Sequence, residues 1–242
     1  MKVMSFNTQH CQNYVTQAID FQVMADAILS CDADIIGLNE MRDLGIDPEK
    51  YDAQTSRLSE LTHIPYHHFA QAIAVPGGGP YGNAFLSKIP ILHVETILVP
   101  DPEPDPVLTA NPDPKTGLGY YETRCLLKAQ LEDGWTVLVI HFGLNPEEKI
   151  NAVSTVLEHL ADTKCILMGD FNVTPDDTLL DPIRERMKDT AEHFDGPRFS
   201  FPSDNPDRKI DYIFVSPDVD VLSADIPDIV ASDHRPHTAE IR

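Results

Sequence analysis

The chain has 242 residues, an ordinary 42% hydrophobic content and a formal net charge of −21, with 39 acidic against 18 basic residues. It is long enough to bury a sizeable core in one large domain or two small ones. Its basic residues form only small groups, such as Arg184/Arg186/Lys188 and Arg208/Lys209, which argues against a strong general binder of duplex nucleic acid. A small or terminal phosphate ester remains compatible with that charge, which also helps gather divalent cations.

In chain order, Val3 to Phe6 is a short strand closed by Asn7. Ala18, Ile19, Val23, Ala27 and Ile28 recur at helical spacing and predict an amphipathic helix over 17–30. Asp34 to Leu38 is a second buried strand, closed by Asn39 and Glu40. A short helix is expected over 54–62, a strand over 66–75 and a loop at Gly77-Gly78-Gly79-Pro80. Ala84–Leu86 and Ile91–Val99 are further strands. Residues 100–119 hold six prolines and several acids, so they are expected as a surface excursion inside a single domain spanning 1–242. Residues 123–131 and 135–141 read as strands joined by a hairpin through Glu132-Asp133-Gly134. Asn145-Pro146-Glu147-Glu148 is a capped helix start, and that helix should run to about Leu160. Another helix is expected over 176–188, with strands at 165–169, 210–215 and 237–241.

Cys11, Cys31, Cys125 and Cys165 form no C-x-x-C pair. Cys31 and Cys165 adjoin apolar segments and are expected as small core residues. The opening MKVMSFN enters a strand-like run directly, with no signal-peptide core and no long apolar span, which predicts a cytoplasmic protein.

The most informative stretch is Cys165 to Asn172, CILMGDFN. An apolar run ends at Gly169 and delivers Asp170 and Asn172, two residues apart and on one side of an extended backbone. The carboxylate can orient or deprotonate a water, and the amide can hold a phosphoryl oxygen. A plain turn uses the same residue types. Other strands also end in polar groups suited to metal or phosphate: Asn7, Glu40 and His141. Asp211 opens a strand and Asp233-His234 precedes one. Six such positions together point to one rim of a sheet structure.

This set resembles the endonuclease/exonuclease/phosphatase superfamily, metal-dependent phosphoesterases with the DNase-I-like fold. The resemblance covers nearly the whole chain, through Ser5-Phe6-Asn7, Leu38-Asn39-Glu40, Tyr81-Gly82-Asn83-Ala84 with Leu86-Ser87-Lys88, and Tyr121-Glu122-Thr123-Arg124. It continues through His141-Phe142, Gly169-Asp170-Phe171-Asn172, Lys209-Ile210-Asp211-Tyr212 and Ser232-Asp233-His234-Arg235-Pro236. Asn39 stands where many members have Gln, and Cys125 where Gly is expected. The proline-rich excursion looks specific to this chain or its close relatives. The resemblance implies an α+β fold: a four-layer α/β/β/α sandwich of two mostly antiparallel sheets flanked by helices, with the site at one rim.

It also implies roles. Glu40 is the principal ligand for Mg²⁺ or Mn²⁺, with Asn7 and Asp233 near the ion. His234 and Asp211 match the His–Asp pair facing the scissile phosphate. Asp170 activates or aligns water, and Asn172 donates to a phosphoryl oxygen. His141 protonates the leaving group or holds phosphate. Arg124 clamps phosphate, with a structural ion pair as the alternative. Asn83 is a weaker substrate contact, with a turn role after Gly82 equally open. His63, His67 and His68 are read as surface or strand residues rather than a zinc site, and His237 as structural.

The leading expectation is a metal-dependent hydrolase of a phosphate mono- or diester, on a small or non-polymeric substrate. A nuclease, including the abasic-site type, is the alternative, and phospholipid head groups stay open. An inactive binding module on the same fold is the reading from another class. It would carry a broken Asp170, Asn172, Asp211 or His234, and all four are present.

Overall fold

The structure, a computed structural model, describes residues 1–44, 52–75, 79–103 and 121–242. Among the described residues, twelve strands form two six-stranded sheets. The first holds β1 (Lys2–Asn7), β2 (Ile35–Arg42), β3 (Tyr66–Val75), β4 (Gly79–Ser87), β11 (Val221–Asp225) and β12 (His237–Ile241), in the order β11-β12-β1-β2-β4-β3. The second holds β5 (Ile91–Leu98), β6 (Cys125–Leu131), β7 (Thr136–His141), β8 (Cys165–Asp170), β9 (Lys188–Asp189) and β10 (Asp211–Val215), in the order β5-β6-β7-β8-β10-β9. β1 pairs with β2, and β7 with β8, in parallel; the other pairings are antiparallel.

Strand side chains alternate between faces, and the alternation sorts the core into three layers. Val3, Ile35, Phe85, Val137, Val139, Ile166, Met168 and Ile213 meet between the sheets. Their neighbours Met4, Phe6, Ile36 and Leu38 face outward under α1 (Phe21–Cys31) and α2 (Gln54–Thr62). Leu138, Ile140 and Leu167 face outward on the other side under α3 (Pro146–His159) and the short α4 (Asp181–Arg184). The result is the expected α/β/β/α sandwich. Burying each such side chain contributes about 1.5–3 kcal/mol, so these runs dominate the driving force for assembly.

Several boundaries differ from expectation. α1 begins at Phe21 rather than near residue 17, because the Asp20 carboxylate accepts from the Val23 N–H and caps the helix there. No helix spans 176–188: a 3₁₀ turn at Thr178–Leu180 leads into the four-residue α4. Pro182 lacks the N–H that a continuous helix across 176–188 needs, and the chain turns into β9. The edge strand β11 was not expected, since its half-exposed VLSAD carries no apolar run. α3 starts as predicted, with Asn145 and Glu148 closing a capping box. Of the glycine-proline loop, Gly77 and Gly78 lie outside the described residues, and Gly79 and Pro80 open β4. Of the proline-rich stretch, 104–120 lies outside them, while 100–103 has no regular structure. All four cysteines are free and buried. Among the described residues no helix is long and apolar enough to cross a membrane.

Candidate active site

The parallel pairs β1/β2 and β7/β8 carry the site, because parallel strands end at the same rim. Register does the rest: Asn7 lies opposite Asn39, His141 opposite Asp170, and Asp170 opposite Asp211. Gly169 permits the last step of β8. Its φ is +149°, and a Cβ there would collide with the Ile140 carbonyl.

Glu40 is aimed by a bulge. Between the pairs Leu38–Ala84 and Met41–Gly82, Asn39 and Glu40 both oppose Asn83, and Glu40 takes a left-handed φ of 58°. The strand therefore continues to Arg42 instead of closing at Glu40. Asn7 Nδ2 donates to Glu40 Oε1 and to Asp170 Oδ2, each at 3.1 Å, and so ties the sheets together.

Asp170 is buried. Its Oδ1 accepts from the Asn172 N–H at 2.9 Å, and its Oδ2 lies 3.5 Å from His141 Nε2 and 3.6 Å from His234 Nε2. Burial and the nearby negative Asp211 raise its proton affinity above the ordinary aspartate value, against the opposing pull of His234. His234 shows the converse balance. Burial alone would favour the neutral ring, but Asp211 and Asp170 outweigh it and hold the imidazolium. His234 Nδ1 sits 2.8 Å from Asp211 Oδ2, which fixes the ring. His237 is buried, with Nδ1 donating to the Asp211 carbonyl at 3.3 Å and Nε2 3.1 Å from Thr190 Oγ1, a structural position behind the dyad.

His141 differs from His234 in its partner. Arg124 Nη1 lies 3.2 Å from His141 Nδ1 and 2.8 Å from Glu122 Oε1. A guanidinium only donates, so Nδ1 accepts and the ring proton sits on Nε2, facing Asp170. Burial, then the charges of Arg124, His234 and His10, push the His141 pKa well below its ordinary value. Asn172 Nδ2 donates to the Phe142 carbonyl at 3.0 Å and lies 3.2 Å from His141 Nε2.

A cavity of about 1190 Å³ opens over these groups. Glu40, Arg124, His141, Asp170, Asn172, Asp233 and His234 line it, while Asn7 and Asp211 stand behind the wall. Asn83 is not brought to it. This residue is buried between the sheets, where its Oδ1 accepts from Asn39 and its Nδ2 donates to the Cys125 carbonyl. Further lining residues escaped the sequence reading. His10 lies in a run of three left-handed residues, Gln9, His10 and Cys11 (φ 46°, 56° and 60°), and donates through Nδ1 to the Glu40 carbonyl at 3.2 Å. Phe201 packs its ring 4.8 Å from His234, and Arg208 lies over Phe201. His10 is three positions after Asn7, a proximity that could have singled it out. Phe201 and Arg208 carried no such signal.

For a hard cation the cavity offers the carboxylates of Glu40 and Asp233. The Asp233 carboxyl is pushed up by burial and by the negative charge of Glu40, a repulsion that an ion between them would relieve. Asn7 directs Oδ1 at the Gln9 N–H and Nδ2 at the two carboxylates, so in this geometry it orients Glu40 rather than offering an oxygen. Asp170, Asp211 and His234 also bring one ligand atom each within 4.8 Å of one another. An ion held there would compete with the His234–Asp211 hydrogen bond.

Comparison with known proteins agrees with this fold. The chain is similar to an endonuclease/exonuclease/phosphatase from Beutenbergia cavernae DSM 12333, with a TM-score of 0.77 at 22% identity over 100% of this chain and 71% of that one. A mannosyl-6-phosphatase from Bacteroides thetaiotaomicron matches with a TM-score of 0.71 at 18% identity, covering 100% of this chain and 99% of that one. D. rerio TDP2, complexed with a single-strand DNA product, matches with a TM-score of 0.65 at 13% identity, covering 100% and 98%. At these identities the likeness shows a shared fold. No curated protein matches the chain. The description Endonuclease/Exonuclease/phosphatase family matches residues 4–234, and the chain belongs to that family.

Proposed function

We propose that the protein is a divalent-metal-dependent phosphoesterase that hydrolyses a phosphate mono- or diester by attack of an activated water, on a small or non-polymeric substrate. The observation that carries this reading is the convergence of Asp170, the His234–Asp211 pair, Glu40 and Asp233 on one cavity. Family members are phosphoesterases and nucleases, so hydrolysis is the coarse expectation.

Asp170, with its raised proton affinity, orients the attacking water and accepts its proton. Protonated His234 places a fixed positive charge against the phosphoryl oxygens, and Asp211 keeps it there. His141 presents its Nε2–H as a neutral donor, and Arg124 adds a second positive group behind it. The Asn172 side chain lines the same wall. Mg²⁺ or Mn²⁺, held by Glu40 and Asp233 with Asn7 orienting Glu40, would neutralise charge on the phosphate when bound.

The chain's charge supports the reading of a small substrate. The 18 basic residues are outnumbered by 39 acidic ones, which gives little to grip a polymer backbone, while Arg42, Arg124 and Arg208 on the cavity wall can meet a single phosphate. The name of the mannosyl-6-phosphatase neighbour fits a sugar phosphate, and that of TDP2 with its DNA product keeps the nuclease alternative in the test. A screen over sugar phosphates, other phosphomonoesters, phosphodiesters, abasic DNA and phospholipids, each with Mg²⁺, Mn²⁺ or EDTA, tests the reading. Turnover of a small ester that requires metal is expected. Turnover of DNA alone would favour the nuclease, and no turnover of any substrate would leave the binding module.

A further inference from the structure

The two sheets meet under the site through a chain of two buried asparagines. Asn39, at the bulge of β2, is fully buried, and Asn83, on β4, is 2% exposed. Asn39 Oδ1 accepts from the Asp170 N–H at 3.0 Å. Its Nδ2 donates to the Ile140 carbonyl at 3.0 Å and to Asn83 Oδ1 at 2.8 Å. Asn83 Nδ2 then donates to the Cys125 carbonyl at 2.8 Å. Each backbone group held in this way is at, or next to, a site residue of the second sheet: Asp170 itself, His141 after Ile140, and Arg124 before Cys125. On the first sheet the chain begins beside Glu40.

We propose that Asn39 and Asn83 are positioning residues: a hydrogen-bonded strut that sets Asp170, His141 and Arg124 at their working distance from Glu40. The apolar interface around them attracts but is not directional, so it does not by itself fix the offset of one sheet against the other. Two buried amides are a costly way to fill space unless every hydrogen bond is made, and here all four bonds are. Strand alternation already points Asn39 at the second sheet, since Ile36 and Leu38 face outward; the bulge that follows turns Glu40 the same way, into the cavity, so the strut and the carboxylate stand side by side. A drift of an ångström at this rim would misplace the water-activating carboxylate, at a cost of about a hundredfold in rate.

This inference rests on the phosphoesterase reading, and the experiment keeps the two apart. Turnover of bis-p-nitrophenyl phosphate with Mg²⁺ is measured for the wild type, Asn39→Ala, the double variant Asn39→Leu/Asn83→Leu, and Asn39→Ala combined with Asp170→Asn. The double variant removes the strut without leaving an unpaired buried amide in the pair, and so guards against simple unfolding. The expected result is a fall in kcat of about tenfold or more with KM within about twofold, and no further loss when Asn39→Ala is added to Asp170→Asn. Hydrogen exchange of the Asp170 amide should speed up in Asn39→Ala. Wild-type kcat in the double variant, or an equal further loss in the Asp170→Asn background, would overturn the strut. If the wild type turns over neither this diester nor any ester of the wider screen, the phosphoesterase reading fails, and unchanged protection of the Asp170 amide in Asn39→Ala overturns the strut separately.

Discussion

Nδ1 of His234 and Oδ2 of Asp211 lie 2.8 Å apart, and both side chains are buried. The pair joins the start of β10 to the loop before β12, and Phe201 packs against the imidazole from the other side. Neither ring orientation nor charge is left free. Asp211→Asn removes the negative charge that favours the imidazolium and offers a donor where an acceptor stood. Turnover should fall by roughly two decades or more, with melting temperature changed by only a few degrees. Steady-state kinetics beside thermal melts check this, and near-normal kcat would remove the dyad from the mechanism.

The metal makes a separate prediction. Glu40 and Asp233 offer oxygen ligands only, so exhaustive EDTA treatment should abolish activity, and added Mg²⁺ or Mn²⁺ should restore it. Full activity after chelation would count against these two carboxylates as an ion site. Glu40→Gln should weaken the metal response, read as a rise in the Mg²⁺ concentration giving half-maximal rate.

Arg124 controls His141. Arg124→Met removes both the donor to Nδ1 and one of the charges that hold the ring neutral, so the His141 pKa should rise toward its ordinary value, although burial keeps it below. Side-chain nitrogen resonances followed by NMR across pH report this directly. An unmoved titration would show that Arg124 does not govern the ring.

Lys209, in the same stretch as Asp211, gives a stability prediction. Its ammonium is buried, 3.1 Å from the centroid of the Tyr212 ring and 3.8 Å from Asp189 Oδ2. Burial pushes its pKa down from 10.5 to about 8, against the pull of Asp189 and Asp211. Between those values the folded protein has released a proton that the unfolded chain still binds, so this group makes stability rise with pH. Relative to Lys209→Met, the wild type should gain roughly 3 kcal/mol of unfolding free energy between pH 8 and 10.5. Denaturant melts at several pH values test it, and parallel curves for the two proteins would contradict it.

Much of the architecture was legible because the strands that carry the site are apolar runs cut off by one polar residue. Val3–Asn7, the run into Glu40, the run into His141 and the run into Asp170 each end at the rim, where a polar group costs the core least. The capped start of α3 was equally plain, since its signal lies within four residues. What escaped depends on neighbours distant in sequence. The bulge at Asn39–Glu40 is set by pairing with β4, and the partners of Asn83 between the sheets, Asn39 and the Cys125 carbonyl, lie more than forty residues away, so its expected contact with substrate gives way to a structural one. The helix expected over 176–188 had the right composition, but Pro182 breaks it. Phe201 reaches His234 only through a turn in the chain that no periodicity announces.

Asp170 is where both sheets meet the proposed water, and the active site stands or falls with it. The decisive measurement is kcat for Asp170→Asn against wild type, with Mg²⁺ and the best ester from the screen, alongside thermal melts of both proteins. A loss of about two decades or more with the fold retained is the predicted result. Equal turnover by the two proteins would contradict the proposed site.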